Sequence, residues 1–253
     1  MNKRIKRIGF TAMVAVIIAL ALAACSNPSG GGGGGNGGTP PPPLYIITGS
    51  GTSFTATRGG VAIPDGSGVT ITNLMTAIRS HAEGANVTIQ FGDGSDALNI
   101  VSAFVTFAGW PGLVTLTGSI TSAGTLTITT SASNNINSSA NITNTSTNNI
   151  AAAIQNQSNA TVSITGGTVS ANAGSAIVIT DSSHVNILGG TITSANTDSA
   201  DRGTIRVHST AGTLTINGGT VLNTSDGQAI IVNGTVGERV KINGGTITPP
   251  YTP

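Results

Sequence analysis

Between Val162 and Ile247 the chain repeats one arrangement of apolar and polar positions four times. Val162-Ser-Ile-Thr-Gly-Gly-Thr-Val169 returns as Val185-Asn-Ile-Leu-Gly-Gly-Thr-Ile192, as Leu214-Thr-Ile-Asn-Gly-Gly-Thr-Val221 and as Val240-Lys-Ile-Asn-Gly-Gly-Thr-Ile247. Within each copy apolar and polar residues alternate, which is the period of a β-strand with one buried face. A second alternating run lies between copies: Ala153-Ile154, Ala176-Ile177-Val178-Ile179, Thr204-Ile205-Arg206-Val207 and Ala229-Ile230-Ile231-Val232. A third apolar segment follows each Gly-Gly-Thr. One turn of the pattern takes 23 to 29 residues, measured between successive glycine pairs.

Three strands per turn at this period predict a parallel β-helix, in which each coil stacks about 4.8 Å above its predecessor. An antiparallel sandwich is the competing arrangement, because Asn217-Gly218 and Asp226-Gly227 are hairpin signals. A sandwich, however, gives no reason for one three-strand order to recur. A solenoid requires it, since every coil presents the same faces to both neighbours. The glycine pair then marks a corner, and Thr168, Thr191, Thr220 and Thr246 fall in register.

Less regular apolar alternation extends the pattern backwards through Val87-x-Ile89-x-Phe91, Leu98-x-Ile100, Val105-x-Phe107, Val114-x-Leu116, Leu126-x-Ile128 and Ile142. The expected fold is all-β: a right-handed parallel β-helix of six or seven coils over residues 86–248, with a short N-terminal capping helix. That helix is read over 73–84, with Asn73 as N-cap, Gly84 as the stop, and Leu74 and Ile78 on one face. Residues 44–85 form the cap region, and 249–253 a proline-rich tail that blunts the last strand edge.

Composition changes the picture mainly at the N-terminus. Lys3, Arg4, Lys6 and Arg7 precede an apolar run from Ile8 to Ala24, the form of a secretory signal peptide over 1–24. Residues 25–43 contain a glycine run and Pro40 to Pro43, a segment that is flexible in its first part and stiff in its second. Removing the leader leaves six Lys+Arg against nine Asp+Glu, a net −3. A chain so poor in basic residues lacks the phosphate-neutralising patch that nucleic-acid binding requires. Cys25, the single cysteine, has no partner in the chain for a disulfide.

Leu22-Ala23-Ala24-Cys25 resembles the lipobox of bacterial lipoproteins. The resemblance implies lipidation of Cys25 on sulfur, cleavage before it and acylation of the new amino group. Two or three acyl chains, at about 0.8 kcal/mol per buried methylene, hold a protein on a membrane essentially permanently. The partner implied is therefore a membrane, and the location implied is the bacterial cell envelope; Ser26 rather than Asp after the cysteine would, by resemblance to enterobacterial sorting, favour the outer membrane, with the rod at the cell surface. The chain as a whole resembles bacterial surface lipoproteins carrying a right-handed parallel β-helix, the pectate-lyase-like or adhesin-like group. Since that fold hosts lyases, glycosidases and adhesins, the leading expectation is a non-enzymatic binding, adhesin-like or structural module. Its partners would be a glycan or a host or cell-surface protein, with no cofactor. The alternative is a polysaccharide-active glycosidase or lyase.

Two short segments carry the candidate chemistry. Asn196-Thr-Asp198-Ser-Ala-Asp201 lies in the longest interval between repeats and resembles the Asn-Thr-Asp-x-x-Asp segment of polygalacturonases. That resemblance implies catalytic roles for Asp198 and Asp201, but the Asp-Asp pair, Gly-His-Gly and Arg-Ile-Lys of that family are missing. Gly92-Asp93-Gly94-Ser95-Asp96-Ala97-Leu98 resembles the calcium-binding nonapeptide of RTX β-rolls, with Phe91 in place of the first glycine. Asp93 and Asp96 are hard-oxygen candidates for calcium; a tight turn between strands is the alternative. His81, His184 and His208 are scattered. Trp110, at a turn, suits either a capping contact or a sugar-stacking platform.

Overall fold

The computed structural model describes residues 40–101, 103–107, 109–110, 112–122, 126–129, 135–198, 201–208, 211–233 and 239–249. The segment 1–24 read as a signal peptide, Cys25 and the glycine run lie outside them. Pro41–Pro253 forms one compact unit.

The first coil carries β4 (Val87–Phe91), β5 (Leu98–Ile100) and β6 (Ala103–Thr106), and the second β7 (Leu113–Ser122) and β8 (Leu126–Thr129). Then come β9 (Asn135–Ser138), β10 (Asn141–Asn144) and β11 (Ala152–Asn156), followed by β12 (Thr161–Ile164), β13 (Thr168–Ala171) and β14 (Ser175–Ile179). The next coils hold β15 (His184–Ile187), β16 (Thr191–Ser194) and β17 (Gly203–Val207), then β18 (Thr213–Ile216), β19 (Thr220–Asn223) and β20 (Gln228–Val232). β21 (Val240–Ile242) and β22 (Thr246–Thr248) begin another level. Every pairing from β4 onward is parallel and joins equivalent strands of successive coils. The chain is an all-β parallel solenoid of about five turns, consistent with a right-handed β-helix.

Three faces result. β9, β12, β15, β18 and β21 stack on the first, β10, β13, β16, β19 and β22 on the second, and the uninterrupted β7 runs across both. The third face is a separate sheet of six strands, β6-β8-β11-β14-β17-β20. Six strands are five stacking steps, so the six or seven expected coils correspond to six levels with a strand on the third face and one more begun by β21 and β22.

Alternation decides which side chains face inward. Val162, Val185 and Leu214 form one column, Ile164, Ile187 and Ile216 a second, Val169, Ile192 and Val221 a third, and Ile154, Ile177, Ile205 and Ile230 a fourth. All are essentially inaccessible to solvent. Each such side chain contributes about 1.5–3 kcal/mol of transfer free energy, so the repeated aliphatic positions supply the cohesion of the rod. The second glycine of each pair turns the corner between the first and second faces with a positive φ, from 69° at Gly167 to 87° at Gly245. The four threonines after the pairs do fall in register.

The N-terminal edge is closed by more than a helix. β1 (Leu44–Gly51) lies parallel to both β4 and β5, so it acts as one further level, with Tyr45 and Ile47 stacked over Ile89 and Phe91. β2 (Ser53–Arg58) then pairs antiparallel with β1, and β3 (Val61–Ala62) with β2. This hairpin ends the parallel stack. The helix α1 (Ile71–Ala82) packs over β2 and β6 and buries Ile71, Leu74, Met75, Ile78 and Ala82. It starts earlier than expected. Thr70, not Asn73, is the N-cap: its hydroxyl accepts the Asn73 amide at 3.4 Å, while Glu83 in the left-handed region ends the helix. Ile71 explains the shift, because it belongs to the buried face and has to lie within the first turn.

Candidate functional site

The second face carries polar side chains at every outward position of its two rows except Leu222. Thr121, Thr143, Ser170, Thr193, Leu222 and Thr248 form one row; Ser119, Asn141, Thr168, Thr191, Thr220 and Thr246 form the other. None of the twelve is ionisable. Beside the first row runs a groove of about 550 Å³ whose floor is Thr143, Ser170 and Thr193 and whose wall includes Thr145, Asn172 and Thr224. Ser170 donates its hydroxyl to Thr143 Oγ1 at 3.1 Å. Thr145 and Thr224 turn their hydroxyls down onto the carbonyls of Ser122 and Ser194 in the coil below. The side chains of Asn172 and Thr193 make no hydrogen bond among the described residues.

A line of small polar residues behind the groove fixes its wall. Ser122, Asn144, Ser194 and Asn223 end the second-face strands and are buried. Asn144 donates to the Ala152 carbonyl at 3.0 Å and accepts the Ser146 amide at 2.9 Å. Asn223 donates to the carbonyls of Asn196 and Gln228 and accepts the Ser225 amide at 2.8 Å. Buried amides with both ends satisfied stiffen the turns they span. The corner loops are thus pinned from inside.

The 195–202 loop follows β16 directly, and 145–151, after β10, is nearly as long. Asp198 accepts the Asp201 amide on Oδ1 at 3.0 Å, which is the bond of an aspartate closing its own loop. Both carboxylates act on Arg206. Burial lowers the Arg206 guanidinium pKa and the like charge of Arg202 lowers it further, while Asp201 and Asp198 oppose the shift. Arg206 also donates to Asn233 Oδ1 at 2.8 Å. The field of both carboxylates therefore reaches Arg206 on β17, a strand of the third face.

At the other candidate segment, Asp93 Oδ1 accepts the Ser95 amide at 2.9 Å, the Ser95 hydroxyl at 2.6 Å and the Asp96 amide at 3.3 Å. These bonds stabilise the carboxylate and hold its pKa below the ordinary value, the Ser95 hydroxyl foremost. Asp93 and Asp96 line a small depression of about 90 Å³ with Thr48 and Gly49. Among the described residues no three His, Cys, Asp or Glu side chains come together as a metal site.

The histidines are separate. His184 Nδ1 lies 2.6 Å from the hydroxyl of Thr213, its register partner one coil on. His81 Nδ1 meets the Tyr45 hydroxyl at 2.9 Å, the rings edge to face, with Arg58 over the Tyr45 ring at 5.9 Å. His81 and Arg58 border a cleft of about 790 Å³ between α1 and the segment of Pro64, Asp65 and Val69, with the charged side chains Arg58, Asp65 and Glu83 in its lining. This cleft is larger than the groove, but its rim mixes both charges on exposed side chains. Trp110 is buried against Phe107 at 5.8 Å, as a capping contact requires.

Comparison with protein-family models, with curated proteins and with solved structures gave no match. The groove was not read from the sequence. Its signal was present in the outward position two residues beyond each Gly-Gly-Thr threonine, which reads Ser170, Thr193, Leu222 and Thr248.

Proposed function

We propose that this chain is a surface-exposed bacterial lipoprotein, anchored through Cys25, that works as a non-enzymatic binding or adhesin-like module. The rod displays its partner-binding surface on the second face. The observation that carries this reading is the pair of uncharged rows that continue across successive coils on that face, with a hydrogen-bonding side chain at every position but Leu222. A surface of this kind offers many equivalent weak contacts, and multivalency along one rigid body raises the strength of attachment without a deep pocket. The glycine run and Pro40 to Pro43 serve as the spacer between anchor and rod.

Expression of the full chain in a Gram-negative host with labelled palmitate tests the anchor. Label is expected in the wild type and absent from Cys25→Ser, and intact cells should lose the rod to added protease. Sedimentation with bacterial and host cells tests the binding role: the chain should co-sediment with at least one cell type. Release of product from polygalacturonate or another uronate polymer, abolished by Asp198→Ala, would replace this reading with the enzymatic one.

A further inference from the structure

The groove over Thr143, Ser170 and Thr193 narrows the kind of partner, and this step rests on the binding reading above. Its lining contains hydroxyls, amides and alanine methyls, with no ionisable and no aromatic side chain. An anionic or cationic ligand would exchange its hydration for a surface with no compensating charge, which is unfavourable. Strand addition is also unavailable here. The backbone amides of β10, β13 and β16 are already committed to the ladders between coils. What the groove offers is hydroxyl and amide chemistry repeated once per coil.

Successive levels are spaced about 4.8 Å apart, so the three floor residues and the Thr224 corner span roughly 14 Å. A ligand that makes the same contact at each level must itself repeat at nearly that distance. An extended chain of hexoses does so, because one sugar residue advances by close to one coil. It also carries hydroxyls that both donate and accept, as the floor requires. Thr143, having accepted from Ser170, keeps its own proton to donate. Thr193 and Asn172 add donors and acceptors that have no partner among the described residues.

We infer that the groove is a glycan subsite, taking about three residues of a neutral, extended polysaccharide laid parallel to the rod axis. The neutrality sets it apart from the uronate polymers to which the Asp198 segment pointed, and it lies on the second face, beside Ala195 and not at Asp198. Binding at one groove is weak, because each hydroxyl contact contributes little net free energy and no aromatic platform adds to it.

Affinity electrophoresis of the purified full chain in gels containing glucomannan, mixed-linkage β-glucan, polygalacturonate or alginate tests this. The expected result is retardation by at least one neutral polymer, unchanged by added salt. In Thr143→Val/Ser170→Ala/Thr193→Val it should fall roughly tenfold, since three hydroxyl contacts are lost. The valines keep the branched shape and β-propensity of threonine, and an unchanged thermal unfolding profile verifies the fold. Should the triple variant not fold, Thr193→Val and the rescuing Thr193→Ser give the same readout. Retardation by the uronates alone, neutral retardation unaffected by the variants, or no neutral retardation would overturn the inference. If the chain sediments with cells but no neutral polymer retards it, only the inference fails. If it does neither, the binding reading falls as well.

Discussion

Gly190 sits directly on Gly167, so close that a β-carbon on Gly190 would lie 2.6 Å from the Gly167 carbonyl oxygen. Backbone rests on backbone at this corner, and Gly219 continues the contact onto Gly190. Both φ angles are positive, 69° at Gly167 and 78° at Gly190. A β-carbon on Gly166, by contrast, would make only an ordinary van der Waals contact, with Ser139 Cβ at 3.7 Å. A β-carbon on Gly167 would itself run into the carbonyl oxygens of Ser139 and Ala140, so Gly167→Ala should destabilise the fold by about 1–3 kcal/mol, from left-handed strain and collision together. Gly166→Ala should change it little. Urea unfolding of the two variants decides this, and equal losses would contradict the stacked corner.

The aliphatic columns make a sharper demand. Ile187 is sealed between Ile164 and Ile216 in adjacent coils. Ile187→Ala leaves a cavity with no loop able to collapse into it, for an expected loss of about 2–5 kcal/mol. Its neighbour Asn186 points outward, and Asn186→Ala should stay within about 0.5 kcal/mol. Chemical denaturation of both variants measures the contrast.

These two cases show why the coils from Val162 onward were legible. Position dictates residue type there: inward sites need an aliphatic, corners need glycine, and both constraints recur with each level. The cap was less legible. β1, β2 and β3 lack the repeat because they end the stack, and nothing local marks Tyr45 as stacking on Ile89. β7 escaped as one strand because Gly118, with a φ of 77°, reads as a break, although the strand runs through it. The groove was hidden for a different reason. Its threonines and serines look like ordinary solvent-facing strand residues until the register places Thr143, Ser170 and Thr193 side by side. The Asp198 segment attracted attention by its spelling, yet Asp198 bonds within its own loop.

The buried amides make the turn beside the groove sensitive to small changes. Asn223→Ala removes the donor to Asn196 and Gln228 carbonyls and the acceptor for the Ser225 amide. Leaving such groups unsatisfied costs about 1–3 kcal/mol. Hydrogen exchange should accelerate in 224–227 and in 195–198 together, because one side chain ties both. Acceleration in the first segment alone would show that the coils are not coupled there.

Tyr45 ties stability to alkaline pH. Burial raises its phenol pKa above the ordinary value, with Arg58 opposing. The unfolded chain then ionises first, so this contribution is complete below about pH 10 and is lost as pH rises through the folded value. Tyr45→Phe should lower stability at neutral pH, through loss of the bond to His81, and flatten the alkaline decline. Urea midpoints across pH 7 to about 11 follow it; an unchanged alkaline slope would contradict the assignment.

Groove, corner and columns all depend on equivalent strands lying parallel and in register, one coil above another. Nuclear Overhauser contacts in the isotope-labelled chain measure this directly. The expected result is cross-strand contacts joining Val162 to Val185, Ile187 to Ile216 and Ser170 to Thr193, in the pattern of parallel ladders. Strong Hα–Hα contacts pairing Thr161–Ile164 antiparallel with Thr168–Ala171 would instead reveal hairpins between sequence neighbours, and would contradict the solenoid and the groove with it.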